Sequence, residues 1–252
     1  MCIRDRNELL RLLESLSAEA WHRGTECPGW RVREIAAHVL HDDLRLLAHL
    51  RDDYAGMWFD GPVSELGPYL HERNGAFVDG TMDLSPRLLV EMLQTTGREL
   101  GGVYRSRDPK ALDDGVAWAI PDGPAPNWLG TGREYTERLA HQNQIRRALG
   151  LDELVTARWL EPALDVWRWC LPVALRGVPG TVTIDVVGAA VRRWTLVDGR
   201  FAEGVDAPDA RVTADAAVLA RLWTDAPGAD FDAQVGDRRL VDAVRTARSI
   251  IV

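Results

Sequence analysis

The sequence predicts a multi-domain α and α+β protein in which a bundle of four principal helices precedes a small α+β unit. Three observations predict it. From Asn7 to Gly150 the apolar residues recur at spacings of three and four, the period of helices with one buried face. After Gly177 that period gives way to alternation and to Asp198-Gly199, the strongest short hairpin signal in the chain. The 252 residues are 46% hydrophobic and 27% charged, enough for a real core, with no internal repeat and no low-complexity segment. The change of period divides the chain into 7–155 and 156–252, the second part opening on a linking helix.

Leu9, Leu10, Leu12, Leu13 and Leu16 mark the first helix, and Gly24 to Trp30 reads as a turn-rich segment. Met1–Arg6 ahead of it reads as appended sequence, so Cys2 carries no weight. Val32, Ile35, Ala36, Val39, Leu40, Leu44 and Leu47 form one apolar stripe, a long amphipathic helix to about Leu50. A short helix is expected near Tyr69 to Val78. Ser85 followed by Pro86 is a helix cap with proline at the first helical position, and Leu88, Leu89, Met92, Leu93 and Leu100 supply that helix's buried face. The Pro-rich loop 121–126 precedes a helix from about Thr131 to Leu149, with Gly150 where a left-handed cap belongs. Glu161 to about Leu175 reads as the linking helix, kinked or shortened by Pro172. Strands are expected at Val182–Val187, Val191–Val197 and Arg211–Thr213, helices at Asp215–Trp223 and Asp237–Arg248.

The net charge of −8 excludes electrostatically driven nucleic-acid binding as a first function. No apolar run reaches a membrane-spanning length, and the most apolar stretch, Val166 to Leu175, is broken by Arg168. Met1 to Arg6 lacks a signal-peptide pattern, and the three cysteines, Cys2, Cys27 and Cys170, are odd in number and far apart, which suits a reducing cytoplasm. Nucleotide-binding glycine loops and the serine-hydrolase elbow are absent. Of the thirty basic residues only Lys110 is lysine, a mark of codon usage more than of function.

Chemistry is concentrated on two predicted helices. Glu137 and His141, four residues apart, share one face one turn apart. His38 lies at the border of the apolar stripe of the second helix, able to face a groove between helices. Together His38, Glu137 and His141 make a three-ligand open site for a divalent ion of the zinc type. The same Glu–His spacing also arises as an ordinary surface pair worth tenths of a kcal/mol. His41 reads as a residue of the solvated face, and His22, His49 and His71 as structural or surface residues. Cys27 and Cys170 read as small buried hydrophobes. Arg73, Arg238, Arg239 and Arg245 are candidate contacts for an anionic substrate by residue type alone.

Glu26-Cys27-Pro28-Gly29-Trp30-Arg31-Val32-Arg33-Glu34-Ile35-Ala36-Ala37-His38 resembles the signature of the mycothiol-dependent maleylpyruvate isomerase family, a Cys-Pro-Gly-Trp turn leading into a helix with a metal-binding histidine. Glu137 to Gly150 is similar to the family's second motif, with Gln144 where relatives carry an aspartate, a change that removes a negative charge beside the site. The resemblance implies a DinB-like four-helix bundle, then a sterol-carrier-like α+β domain closing on a helix and a strand through Ile250-Ile251-Val252. It also implies zinc held by His38, Glu137 and His141, with mycothiol as cosubstrate. The expected activity is addition of a metal-activated thiol to a small electrophile, as cis–trans isomerisation of the maleylpyruvate type or as S-transfer. The alternative is a non-catalytic, metal-stabilised protein of the same fold that binds a small ligand. A small electrophile and a thiol are the expected partners, with neither nucleic acid nor membrane, for a cytoplasmic monomer or homodimer.

Overall fold

The computed structural model of the protein describes residues 2–54, 56, 59, 61–113 and 116–249. The predicted strand through Ile250-Ile251-Val252 lies outside them. The chain forms two units that interleave in sequence. One takes the chain up to Leu112 together with Pro126–Glu153, the other Asp113–Ala125 together with the chain from Leu154 onward.

The first unit is helical: α1 (Cys2–Glu14), α2 (Ala18–Trp21), α3 (Val32–Leu50), α4 (Val63–Gly80), α5 (Pro86–Ser106) and α6 (Asn127–Ala148). The apolar stripe of α3 does what its spacing requires, burying Val32, Ile35, Ala36, Val39 and Leu40 against Leu9 and Leu13 of α1 and Leu89 and Leu93 of α5. Ser85 caps α5, its hydroxyl accepting from Leu88 N at 3.2 Å, with Pro86 in the first turn. Gly150 takes φ +67° just past α6, the left-handed position glycine fills without a Cβ penalty.

Two helices differ from expectation. α4 spans 18 residues where a short helix from Tyr69 was expected, because Pro68 is accommodated inside it. A proline within a helix removes one hydrogen bond, and here the flanking turns carry on through it. α6 starts at Asn127, four residues before Thr131, and α2 carried no periodic signal at all.

The apolar core of this unit is interrupted. Leu46, Leu47 and Leu100 form a cluster apart from the main one, and the residues between on the same helices include Asp43 of α3 and Thr96 of α5, both buried. Asp43 accepts from Thr96 Oγ1 at 2.6 Å and from Arg138 Nη2 of α6 at 3.1 Å, and it also pairs with Arg6 of α1. Four helices are thus joined through one carboxylate.

The chain passes between units at two two-residue strands, β1 (Leu112–Asp113) and β2 (Ala125–Pro126). The second unit then runs α7 (Ala157–Trp167), α8 (Cys170–Ala174), β3 (Thr181–Val187), β4 (Arg192–Val197), β5 (Arg200–Ala202), β6 (Ala210–Asp215), α9 (Ala216–Trp223), β7 (Ala233–Gly236) and α10 (Arg238–Thr246). The single linking helix expected here is two, interrupted at Arg168 and Trp169. Pro172, which cannot donate to the carbonyl of Arg168, falls in the first turn of α8, where a proline is tolerated.

The sheet order is β5-β4-β3-β6-β7, with β3 and β6 parallel and the other pairs antiparallel. Asp198 and Gly199 make the predicted two-residue turn, with φ of 47° and 75°, and Val197 faces Arg200 across it. Val182, Ile184 and Val186 alternate inward with Leu196 and Trp194, and Trp194 stacks on Trp223 of α9 at 6.0 Å. β5 and β7 are additions to the predicted strands.

Candidate functional site

The site starts from the turn ahead of α3. Thr25 N and Oγ1 both donate to Trp30 O, at 3.0 and 2.8 Å, and Trp30 N donates to Cys27 O at 3.0 Å. Gly29 supplies φ +79° inside this turn. Arg31 N then donates to Glu34 Oε2 at 3.0 Å, starting α3 with a capping-box geometry. Arg147 of α6 pairs with Glu26, which ties the turn to the helix that carries Glu137 and His141. The result is that the Trp30 ring stands 5.2 Å from that of His38. Cys27 is half-buried and burial pushes its thiol pKa up, which makes it a poor nucleophile.

His38 of α3 and His141 of α6 meet edge to face, with ring centroids 4.7 Å apart, and both are buried. Each has a carboxylate one helical turn away. His141 Nε2 lies 3.8 Å from Glu137 Oε2, and His38 Nε2 lies 3.5 Å from Asp42 Oδ2. Both separations are longer than good hydrogen bonds. His141 Nδ1 is 2.8 Å from Gln144 Oε1. A carboxamide oxygen only accepts, so Nδ1 carries the hydrogen and Nε2 is left with a bare lone pair. That Nε2 is buried without a hydrogen-bond partner, as is Nδ1 of His38.

Electrostatics follow from this crowding. Burial first, then the charge of His41, lowers His38 to a pKa of about 3. Burial, then His38, lowers His141 to about 4. Both rings are therefore neutral at neutral pH, the form that ligates metals. Burial and the charge of Glu134 raise Asp42 to about 6, and burial, Asp42 and Glu134 raise Glu137 well above the ordinary carboxylate range.

The sequence-predicted trio is thus found at one place, and Asp42 is the residue that sequence reasoning missed. Its signal was present: it follows His38 by four residues, just as His141 follows Glu137. Each helix carries one imidazole and one carboxylate a turn apart. As the side chains stand, no group of three His, Cys, Asp or Glu residues among the described residues forms a metal-holding cluster. The donors come instead as two pairs.

His41 corrects an expectation. It is 5% exposed, stacked on Phe77 of α4 at 4.4 Å, with Nδ1 3.0 Å from Asn74 Oδ1, because α4 covers the face of α3 that its own pattern left polar. Cys170 is buried as expected, and its thiol pKa is pushed up by burial. Of the candidate anion contacts, Arg73 is half-buried on α4. Arg238, Arg239 and Arg245 lie in the second unit, where each pairs with an aspartate: Asp242, Asp237, and Asp230 with Asp242. No helix among the described residues is long and apolar enough to cross a membrane.

Fold and side chains together define a two-unit protein whose helical unit carries an imidazole–carboxylate centre shared by two helices. The chain belongs to the mycothiol maleylpyruvate isomerase family, whose N-terminal domain matches residues 4–146. The mixed architecture is similar to a crystal structure of the mycothiol-dependent maleylpyruvate isomerase, with a TM-score of 0.57 and 13% identity over 92% of this chain and 90% of that one. A crystal structure of a histidine-to-alanine mutant of the mycothiol-dependent maleylpyruvate isomerase gives a TM-score of 0.56 with the same identity and coverage. At this identity the likeness concerns the fold. No curated protein matches the chain.

Proposed function

We propose that the protein is a mycothiol-dependent enzyme that activates the thiol for addition to a small electrophile, as in maleylpyruvate-type cis–trans isomerisation or S-transfer. In this reading His38, Glu137 and His141 hold a divalent ion, zinc by family resemblance, within the 7–155 part of the chain, while 156–252 is the accompanying α+β domain. The observation that carries it is the pair of buried, neutral imidazoles in ring contact, with His141 Nε2 left without a hydrogen-bond partner 3.8 Å from Glu137 Oε2. Such an arrangement is costly to bury unless something positive completes it.

A bound divalent ion would supply stabilisation of a thiolate, which a free thiol of pKa about 8.5 populates poorly at neutral pH. The chain's own residues do the rest. Gln144 fixes the His141 tautomer, Glu137 adds negative charge beside it, and Trp30 forms an apolar wall against His38. The Asp43 junction holds α3 and α6 in register. Arg73 is the candidate contact for an anionic electrophile in the helical unit, and the aspartate partners of Arg238, Arg239 and Arg245 make these weaker candidates. Cys27 and Cys170, both free, suit a reducing cytoplasm.

The alternative of a non-catalytic ligand-binding protein draws on Gln144, a neutral acceptor that leaves His141 less basic than a carboxylate would. Zinc content and mycothiol-dependent conversion of maleylpyruvate, measured in the wild type and in His141→Ala, separate the readings. About one zinc per chain with conversion, both lost in the variant, is expected. Zinc without any thiol-dependent reaction favours the binding protein. No zinc in either chain, even after zinc is supplied, overturns the proposal.

A further inference from the structure

We infer that Arg73 and Asn74, neighbours on α4, form a subsite for a carboxylate of the electrophile, and that His41 of α3 orients the Asn74 amide toward it. The carboxylate's owner follows from the function proposed above, whereas the subsite itself needs neither an ion nor the thiol.

The arginines of this chain are almost all answered by an acceptor or a ring. Among the described residues, Arg23, Arg98, Arg105 and Arg200 lack a protein partner but are exposed, where water serves. Arg73 is different. It is half-buried, and among the described residues it has no hydrogen bond, ion pair or ring contact. Phe77, one turn further along α4, stacks on His41, so Arg73 lies on the side of α4 turned toward α3. Its charge reaches His41, whose pKa is lowered by burial first and then by Arg45 and Arg73 against the pull of Asp42. A partly desolvated guanidinium that meets an imidazole and no carboxylate is an incomplete arrangement.

Asn74 supplies a second donor. Its Oδ1 lies 3.0 Å from His41 Nδ1, and since a carboxamide oxygen only accepts, His41 donates and the Asn74 Nδ2 is left for another partner. Among the described residues nothing accepts from that Nδ2. Phe77 lies against the same imidazole at 4.4 Å and 11°, which fixes the ring that holds the amide. A guanidinium beside an amide N–H, with no protein acceptor for either, matches a carboxylate, which takes paired hydrogen bonds in one plane. His41 follows His38 by three residues, about 4.5 Å along α3. The subsite therefore lies one turn from the imidazole pair, a separation suited to an electrophilic carbon a few bonds from its carboxylate.

The test titrates the full, metal-free chain with maleate by calorimetry, and with sulfate in parallel, using urea midpoints as a folding control. Wild type and His141→Ala are expected to bind maleate alike, Arg73→Gln about tenfold or more weakly, and Asn74→Leu about threefold more weakly. Arg73→Lys keeps the charge without the planar fork and should fall between wild type and Arg73→Gln. In His41→Phe, which keeps a ring against Phe77 but leaves the amide unheld, Asn74→Leu should cost no further affinity. In mycothiol-dependent conversion of maleylpyruvate, Arg73→Gln should raise KM about tenfold with kcat little changed. No maleate binding by wild type, equal binding by folded Arg73→Gln, loss of binding in folded His141→Ala, or sulfate bound as tightly as maleate overturns the carboxylate subsite. An Asn74→Leu cost as large in His41→Phe as in wild type overturns the role of His41, and an unchanged KM overturns the electrophile as owner of the carboxylate. Arg73-dependent maleate binding by a chain that takes up no zinc leaves the subsite standing and overturns only the metal reading.

Discussion

His141 depends on a single neutral neighbour for its orientation. The bond from Nδ1–H to Gln144 Oε1, 2.8 Å long, keeps the opposite nitrogen bare. In Gln144→Leu the acceptor is gone, either tautomer is open to the ring, and zinc affinity is expected to fall about ten- to a hundredfold in chelator competition. An unchanged affinity would show that packing alone orients the ring. Asp42 has a separable signature in the metal-free protein. With folded pKa values of about 3 and about 4 against an ordinary 6.5, His38 and His141 stay neutral when the unfolded chain is protonated, so their stabilisation is lost as pH falls below 6.5. Asp42 works in the opposite sense: raised from 3.8 to about 6, it binds its proton first in the folded state and gains stability as pH falls through that window. Asp42→Asn removes the opposing contribution. Its urea midpoint should therefore drop more steeply between pH 6.5 and pH 4 than that of the wild type.

Between elements, the residue that matters most is Asp43, which collects α1, α3, α5 and α6 at one buried carboxylate. Asp43→Ala leaves the Arg138 guanidinium buried without its main partner, a loss of about 3–5 kcal/mol in urea unfolding. A cost below about 1 kcal/mol would mean that the junction behaves like a surface pair. Elements also show why some of the protein was legible and some was not. α3 was readable because its stripe repeats over five turns, and His38, Glu137 and His141 because helical spacing alone sets which residues share a face. Asp42 was not, since the stripe classes it with the polar side of α3, and only α6 and its Glu137 make that side part of a centre. His41 was misread for the same reason, with α4 as the covering helix. β5 has three residues and β7 has four exposed ones, too short and too uniform for any alternation to show. α4 stayed half-hidden because Gly67-Pro68 has the composition of a break.

At the scale of the whole chain, the interleaving of units sets what can be cut. Val116, Trp118, Ala119 and Ala125 are buried and belong to the second unit, although they lie between α5 and α6 of the first. A fragment ending at Glu153 retains these side chains without the rest of their unit, and it is expected to bind a hydrophobic dye and associate. The same fragment with 113–125 replaced by a short glycine–serine linker should remain monomeric in size-exclusion chromatography. Equal dye binding by the two fragments would show that the segment is not the source of the exposed surface.

The same arrangement orders events during synthesis. When α6 emerges from the ribosome, every helix that shares the His38–His141 centre is already made. The 113–125 segment, however, has been waiting since before α6, and it lacks the rest of its unit until the chain beyond Leu154 is translated. The helical unit is therefore complete in sequence while this stretch, apolar at Val116 and Trp118, still lacks the rest of its own unit. Slowing translation after Glu153 would lengthen that interval, and synonymous codon changes there should alter the yield of folded protein without altering a single residue.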